Sequence, residues 1–278
     1  MDSVLVAAAL FSAFLHAAWN AAIRQADDTD SAMAAQVVTS GLIGLPLLLF
    51  FPLPGPAAWP WLAASTGFNM LAMLAILRGY AAGGGFGLVY PVTRAVSPLL
   101  VALLAVWIMG ERLSALGLTG VALIAGAVGL FAVGQDWRRP GALAWSVVAG
   151  VFSAAYIVCD AQGARASESA LGYGAAMSVV NALAFGAIHT LRGRGSVRLA
   201  LRTHARMAAL ASSASMTSYL LIIWVYAQAS VAIGAALRDT SIVFSAIIAA
   251  LVLKEAMGRW RIAAIGLAVL GVIALRLA

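Results

Sequence analysis

Residues 86–109 read FGLVYPVTRAVSPLLVALLAVWIM and are followed by Gly110, Glu111 and Arg112. One charged residue, Arg94, stands in the whole run. A stretch this long without a polar stripe is what crossing a hydrocarbon layer about 30 Å thick requires, whereas a helix on a soluble bundle would keep a polar face. Similar apolar runs occupy residues 3–23, 32–51, 59–82, 113–133, 141–159, 170–191, 207–229, 231–253 and 257–277, so ten transmembrane helices are expected. The breaks carry helix stops with a physical reason: Pro52, Pro54 and Pro56, the glycines at 83–85, then Arg138, Arg139, Pro140 and Gly141. The longest polar stretch, 192–206, follows the seventh run and reads as a loop.

Composition agrees with lipid as the main solvent. Of 278 residues, 63% are hydrophobic and 10% charged, with a mean hydropathy of +0.99. That is too little polar surface to coat a soluble globule. The net charge of +7 would raise the question of nucleic acid in a soluble protein. Here the basic residues sit in short loops beside apolar runs, where they set orientation, so no nucleic-acid partner is expected. The single cysteine, Cys159, excludes a disulfide framework and a cysteine-based metal site. Met1, Asp2 and Ser3 place no basic region ahead of the first apolar run, so a cleaved signal peptide is not expected. There is no Gly-rich phosphate loop ending in Lys-Ser or Lys-Thr, so no nucleotide motor and no cofactor are expected. No Ser–His pair, His–Glu metal motif or paired carboxylates occur at a workable spacing, which argues against an intramembrane enzyme.

The second half repeats the first. Arg94 and Arg238, Ser97 and Ser241, and Glu111 and Glu255 are each 144 residues apart, and Tyr80 aligns with Tyr226 after a two-residue gap. Both glutamates precede a last glycine-bearing run, with Gly120 and Gly126 in one and Gly266 and Gly271 in the other. Five crossings per repeat is an odd number, so the halves enter the membrane in opposite orientations and share a site near the midplane. The expected units are residues 1–137 and 138–278. Loops after odd-numbered runs hold Arg24, Arg138, Arg139, Arg192, Arg194, Arg198, Arg202, Arg206, Lys254, Arg259 and Arg261, against Arg112, Arg165 and Arg276 on the other side. By the positive-inside rule both termini lie outside the cytoplasm.

His16, Ala17, Ala18, Trp19 and Asn20 in the first run, Pro91 and Pro98 in the fourth, Gly110, Glu111 and Arg112 after it, and the duplicated five-run layout together resemble EamA-type transporters of the drug/metabolite transporter superfamily. The resemblance spans essentially the whole chain. Within that superfamily the chain is similar to bacterial exporters of amino acids and related metabolites, the aromatic amino-acid type included. It implies an all-α, multi-pass protein of the bacterial inner membrane, with two inverted five-helix repeats around a central cavity and an alternating-access mechanism. Runs one, three, four, six, eight and nine would line that cavity. The resemblance also implies both termini in the cytoplasm, opposite to the loop charges. Its partners would be a small-molecule substrate and the lipid bilayer, with the protein a monomer or a homodimer. Organic anions, phosphorylated metabolites and drugs are the alternative cargoes.

Ionisable groups deep in a membrane are costly and therefore suspects for function. Arg94 and Arg238, at equivalent repeat positions, either bind a substrate carboxylate or close structural ion pairs. Asp239 is an arginine's partner or a proton site, and Asp160, at the expected end of its run, is the other proton-coupling candidate. His16, Trp19 and Asn20 share one face through their spacing. His16 either lines the cavity or bonds a neighbour, and Asn20 is more suited to bonding another helix. Tyr80, Tyr90, Tyr156, Tyr219, Trp224 and Tyr226, with Asn69 and Met73, would make an apolar cavity with few polar handles, suited to zwitterions with apolar side chains. Glu111 and Glu255 read as carboxylates favouring the N-terminus of the helix that follows. Small residues, Gly117, Ala122 and Gly126 in one run and Ala264 and Ala268 in another, permit close helix approach, within the chain or in a dimer.

Overall fold

In hydrocarbon a backbone must satisfy its own polar groups, and these apolar runs do so as helices. The computed structural model describes residues 2–84, 86–133, 138–191, 196–252 and 258–278, all helix, turn or short connection. The helices are α1 (Ser3–Arg24), α2 (Thr29–Leu47), α3 (Trp59–Ala81), α4 (Phe86–Met109), α5 (Ala115–Leu130), α6 (Pro140–Arg165), α7 (Ala170–Leu191), α8 (Val197–Thr203), α9 (Ala205–Gln228), α10 (Val231–Asp239), α11 (Ser241–Val252) and α12 (Arg259–Leu277). Among the described residues eight helical stretches are long and apolar enough to cross a membrane, with α10 and α11 together giving one of them. Ser31–Leu47 and Ala115–Leu130 are shorter apolar helices.

Three expectations are corrected. The sixth run does not stop at 159 but continues to Arg165, because the residues after Cys159 are buried against other helices. Asp160 therefore lies inside a helix. The ninth run is broken at Thr240, whose N–H bonds the Leu237 carbonyl at 3.3 Å, so Arg238 and Asp239 sit at the break. The polar stretch after α7 is not all loop, since α8 forms within it and buries Ala200 against Ala35 and Ala208. Lys254 and Glu255, one half of a repeat pair, lie outside the described residues, as do Arg192 and Arg194.

The turns have local causes. Gly83, at φ +83°, ends α3 with the paired bonds Gly84 N–H to Gly79 O and Gly83 N–H to Tyr80 O, the pattern a left-handed residue permits. Gly110, at φ +67°, ends α4 and turns Glu111 back, its N–H bonding the Ala105 carbonyl at 3.0 Å.

The most extensive packing joins the two halves of the sequence: α3 against α6, α1 against α9, α2 against α7, α5 against α12, and α4 against α6. The α5 and α12 contact is close because both are small at the seam. A β-carbon added to Gly271 would stand 2.7 Å from Ile124 Cγ1 and 3.1 Å from the Gly120 carbonyl oxygen. Outward-facing Leu42, Leu103, Trp107, Leu183, Ile262 and Leu270 leave an apolar periphery for lipid.

Candidate substrate cavity

Between these helices lies a cavity of about 480 Å³. Its inner end holds Arg94 of α4, Tyr156 and Asp160 of α6, Tyr219 of α9 and Arg238 of α10. From there it runs past Ser65, Asn69, Met70 and Met73 of α3 and Met177, Asn181 and Phe185 of α7. It reaches Trp19, Met33, Leu77 and His189, toward the end of α1, the start of α2 and the ends of α3 and α7. The cavity thus approaches one face of the molecule.

Charges at the inner end are divided into two sets. In the first, Arg94 Nη1 donates to Asp239 Oδ1 at 3.0 Å, and Arg94 Nη2 donates to His16 Nε2 at 3.1 Å. An arginine can only donate, so Nε2 accepts and the His16 ring proton sits on Nδ1. Tyr90 lies under the guanidinium at 5.3 Å, and Trp19 meets the His16 ring edge-on. Asp239 is 2% exposed, and its Oδ2 has no hydrogen-bond partner. Arg94 is thereby committed to a carboxylate from the other half of the chain.

The second set keeps its charges apart. Asp160 is 2% exposed, and its Oδ1 accepts from Ser65 Oγ at 2.6 Å while Oδ2 accepts from Tyr219 Oη at 3.0 Å. Both donors are neutral, and no described cation lies within ion-pair distance. Arg238 stands over the Tyr219 ring at 6.0 Å. Tyr219 therefore touches the carboxylate with its hydroxyl and the guanidinium with its face. A buried carboxylate and a half-buried guanidinium share one cavity without being paired.

At the opposite end of the molecule from the cavity mouth, Glu111 ties three helices. Its Oε1 accepts from Arg165 Nη2 at 2.9 Å and from the Val231 N–H at 3.0 Å, and its Oε2 accepts from Ser230 Oγ at 2.8 Å. Arg165 also donates to the carbonyls of Tyr226 and Ala229, the open end of α9. Glu111 was expected at the N-terminus of the helix that follows it. Instead Ser114 caps α5, and Glu111 sits at the N-terminus of α10, where its charge meets the positive end of that helix.

Of the residues singled out from sequence, His16, Trp19, Asn69, Met73, Arg94, Tyr156, Asp160, Tyr219 and Arg238 line this cavity. Asn20, Tyr80, Tyr90, Trp224 and Asp239 do not. Asn20 Nδ2 turns back to the His16 carbonyl at 2.7 Å, Trp224 packs on the central core, and Tyr226 is fully buried. Helices α2 and α7 also line the cavity, beyond the six expected runs, through Met33, Gln36, Val37 and Ser40 and through Ser178, Asn181, Phe185 and His189. A signal for α7 was present: Ser178, Asn181, Phe185 and His189 recur every three or four residues and mark one helix face.

This geometry can be set beside known proteins. Residues 140–277 match the EamA-like transporter family. The EamA-like half supplies Tyr156, Asp160, Tyr219 and Arg238, most of the polar inner end. Together with the eight helical stretches long and apolar enough to cross a membrane, the match supports a multi-pass membrane protein whose second half is similar to a transporter family. No curated protein sequence matches the chain. A solved structure described as "Crystal structure of protein" is 17% identical with a TM-score of 0.74, covering 99% of this chain and 96% of that chain. That likeness shows the fold.

Proposed function

We propose that this protein is an alternating-access secondary transporter that exports amino acids or related small metabolites across the bacterial inner membrane. The observation that carries the reading is the inner end of the cavity, where Arg238 and Asp160 stand unpaired beneath a wall of methionines and aromatic rings. A zwitterion with an apolar side chain has the matching chemistry. Arg94, engaged by Asp239, is less available as an anion anchor, which weighs against a phosphorylated or dianionic cargo.

The same reading takes residues 1–137 and 138–278 as inverted five-helix repeats. Reciprocal packing supports it: α1 against α9 mirrors α6 against α3, and α1 against α10 and α11 mirrors α6 against α4, while α2 with α7 and α5 with α12 lie on the symmetry axis. Such an arrangement exchanges two conformations by interchanging the roles of its halves. The test is flux of radiolabelled threonine, methionine and phenylalanine through purified protein in liposomes, with and without a pH gradient. Saturable flux of at least one is expected. Absence of flux for all three removes the amino-acid assignment.

A further inference from the structure

A carboxylate accepts about four hydrogen bonds, and Asp160 accepts two, both from neutral hydroxyls, which leaves lone pairs and a negative charge unanswered in a buried site. The natural answer, Arg238, is held off by Tyr219, whose hydroxyl faces Asp160 while its ring faces the guanidinium. The same residue that orients the anion blocks its neutralisation from within. The first charge set, Arg94 with Asp239, lacks this separation and makes its own ion pair. The two carboxylates of the cavity region are thus built differently: Asp239 has a counter-ion within the protein although its Oδ2 lacks a hydrogen-bond partner, whereas Asp160 has a hydroxyl donor on each oxygen and no counter-ion among the described residues. Both Asp160 and Arg238 line the cavity, with Tyr156, Met177 and Tyr219 beside them.

We propose that Asp160 is the ammonium-binding subsite of the cavity, taking the primary amine of a substrate whose carboxylate is taken by Arg238. The assignment rests on the amino-acid reading above and sharpens it: the cargo must carry a free amine, and Tyr219 sets the distance between its two charged groups. Ser65 and Tyr219 are positioning residues, each holding one carboxylate oxygen so that the remaining lone pairs face the cavity.

The test uses ligand-dependent thermal shifts of the purified full chain, titrated with phenylalanine, phenethylamine, 3-phenylpropanoate and N-acetylphenylalanine. In the wild type, phenylalanine is expected to bind at least about tenfold more tightly than N-acetylphenylalanine, as the loss of a charge-assisted contact implies. In Asp160→Asn, the affinity for phenethylamine falls at least about tenfold while that for 3-phenylpropanoate stays within about threefold. Arg238→Gln reverses the pattern. Gel filtration reports whether each variant is folded, and the wild-type comparison stands even if Asp160→Asn is not. Equal wild-type affinities for phenylalanine and its N-acetyl derivative, or a phenethylamine affinity unchanged in a folded Asp160→Asn, overturn the ammonium subsite while leaving an amino-acid carrier intact. No shift by phenylalanine or either single-charge probe overturns the carrier reading itself.

Discussion

Arg94 shows how much of a membrane interior is decided by pairs. Its guanidinium bridges Asp239 and His16 at 3.0 and 3.1 Å, so removing it leaves a carboxylate that is 2% exposed without its counter-ion. Breaking one side of a buried pair costs about 3–5 kcal/mol, more than deleting both partners. Arg94→Gln is therefore expected to lower the melting temperature of the detergent-purified protein markedly, and Arg94→Gln with Asp239→Asn to recover part of the loss. Additive effects would mean that the pair is not energetically coupled. At Tyr219, replacement by Phe keeps the ring under Arg238 but removes the donor to Asp160. Phenylalanine flux should fall severalfold, and the melting temperature should drop by less than in Arg94→Gln. The two arginines stand out in the sequence because charge in an apolar run is conspicuous. Their partners were not. Asp239 is adjacent to Arg238 in sequence yet pairs with Arg94, since the choice depends on which helix faces which, and nothing local encodes that.

At the level of helices, sequence was a good guide to where elements lie and a poor guide to where they end. Run length and the turn-forming glycines placed most helices within a few residues, because hydropathy and left-handed φ angles are local properties. The extension of α6 to Arg165 and the break at Thr240 follow from burial and hydrogen bonding among distant segments, which no periodicity announces. The seam of α5 and α12 has a simple consequence: Gly271→Leu would drive a side chain into Ile124 and the Gly120 carbonyl. Overpacking of this kind costs about 1–3 kcal/mol or more, so folded yield and melting temperature should both drop, with Gly271→Ala milder. Glu111 makes a different kind of tie, across the α4, α6 and α10 ends. In a Cys159→Ser background, a cysteine at Ala164, now 2% exposed, should react faster with maleimide once Glu111→Gln loosens this end. An unchanged rate would show that apolar packing alone keeps that end shut.

For the molecule as a whole, orientation decides which compartment the cavity addresses. Basic residues cluster on the face toward which the cavity extends, among them Arg198 and Arg202 of α8 and Arg206 at the start of α9. The positive-inside rule puts that face in the cytoplasm, where an exporter loads its cargo. A cysteine at Ser196 should then resist a membrane-impermeant maleimide in intact cells while one at Ser3 reacts. The reverse result would place the termini in the cytoplasm and make the cavity outward-facing. The cavity region also has an arithmetic of its own. Arg94 and Arg238 balance Asp160 and Asp239, two charges of each sign, and a zwitterion adds none. A membrane potential does work only on net charge that moves, about 2.3 kcal/mol per elementary charge per 100 mV. Uncoupled passage of such a cargo is therefore electrically silent: a potassium-diffusion potential imposed with valinomycin should leave its rate unchanged, and the cell's voltage can neither drive the cargo out nor pull it back.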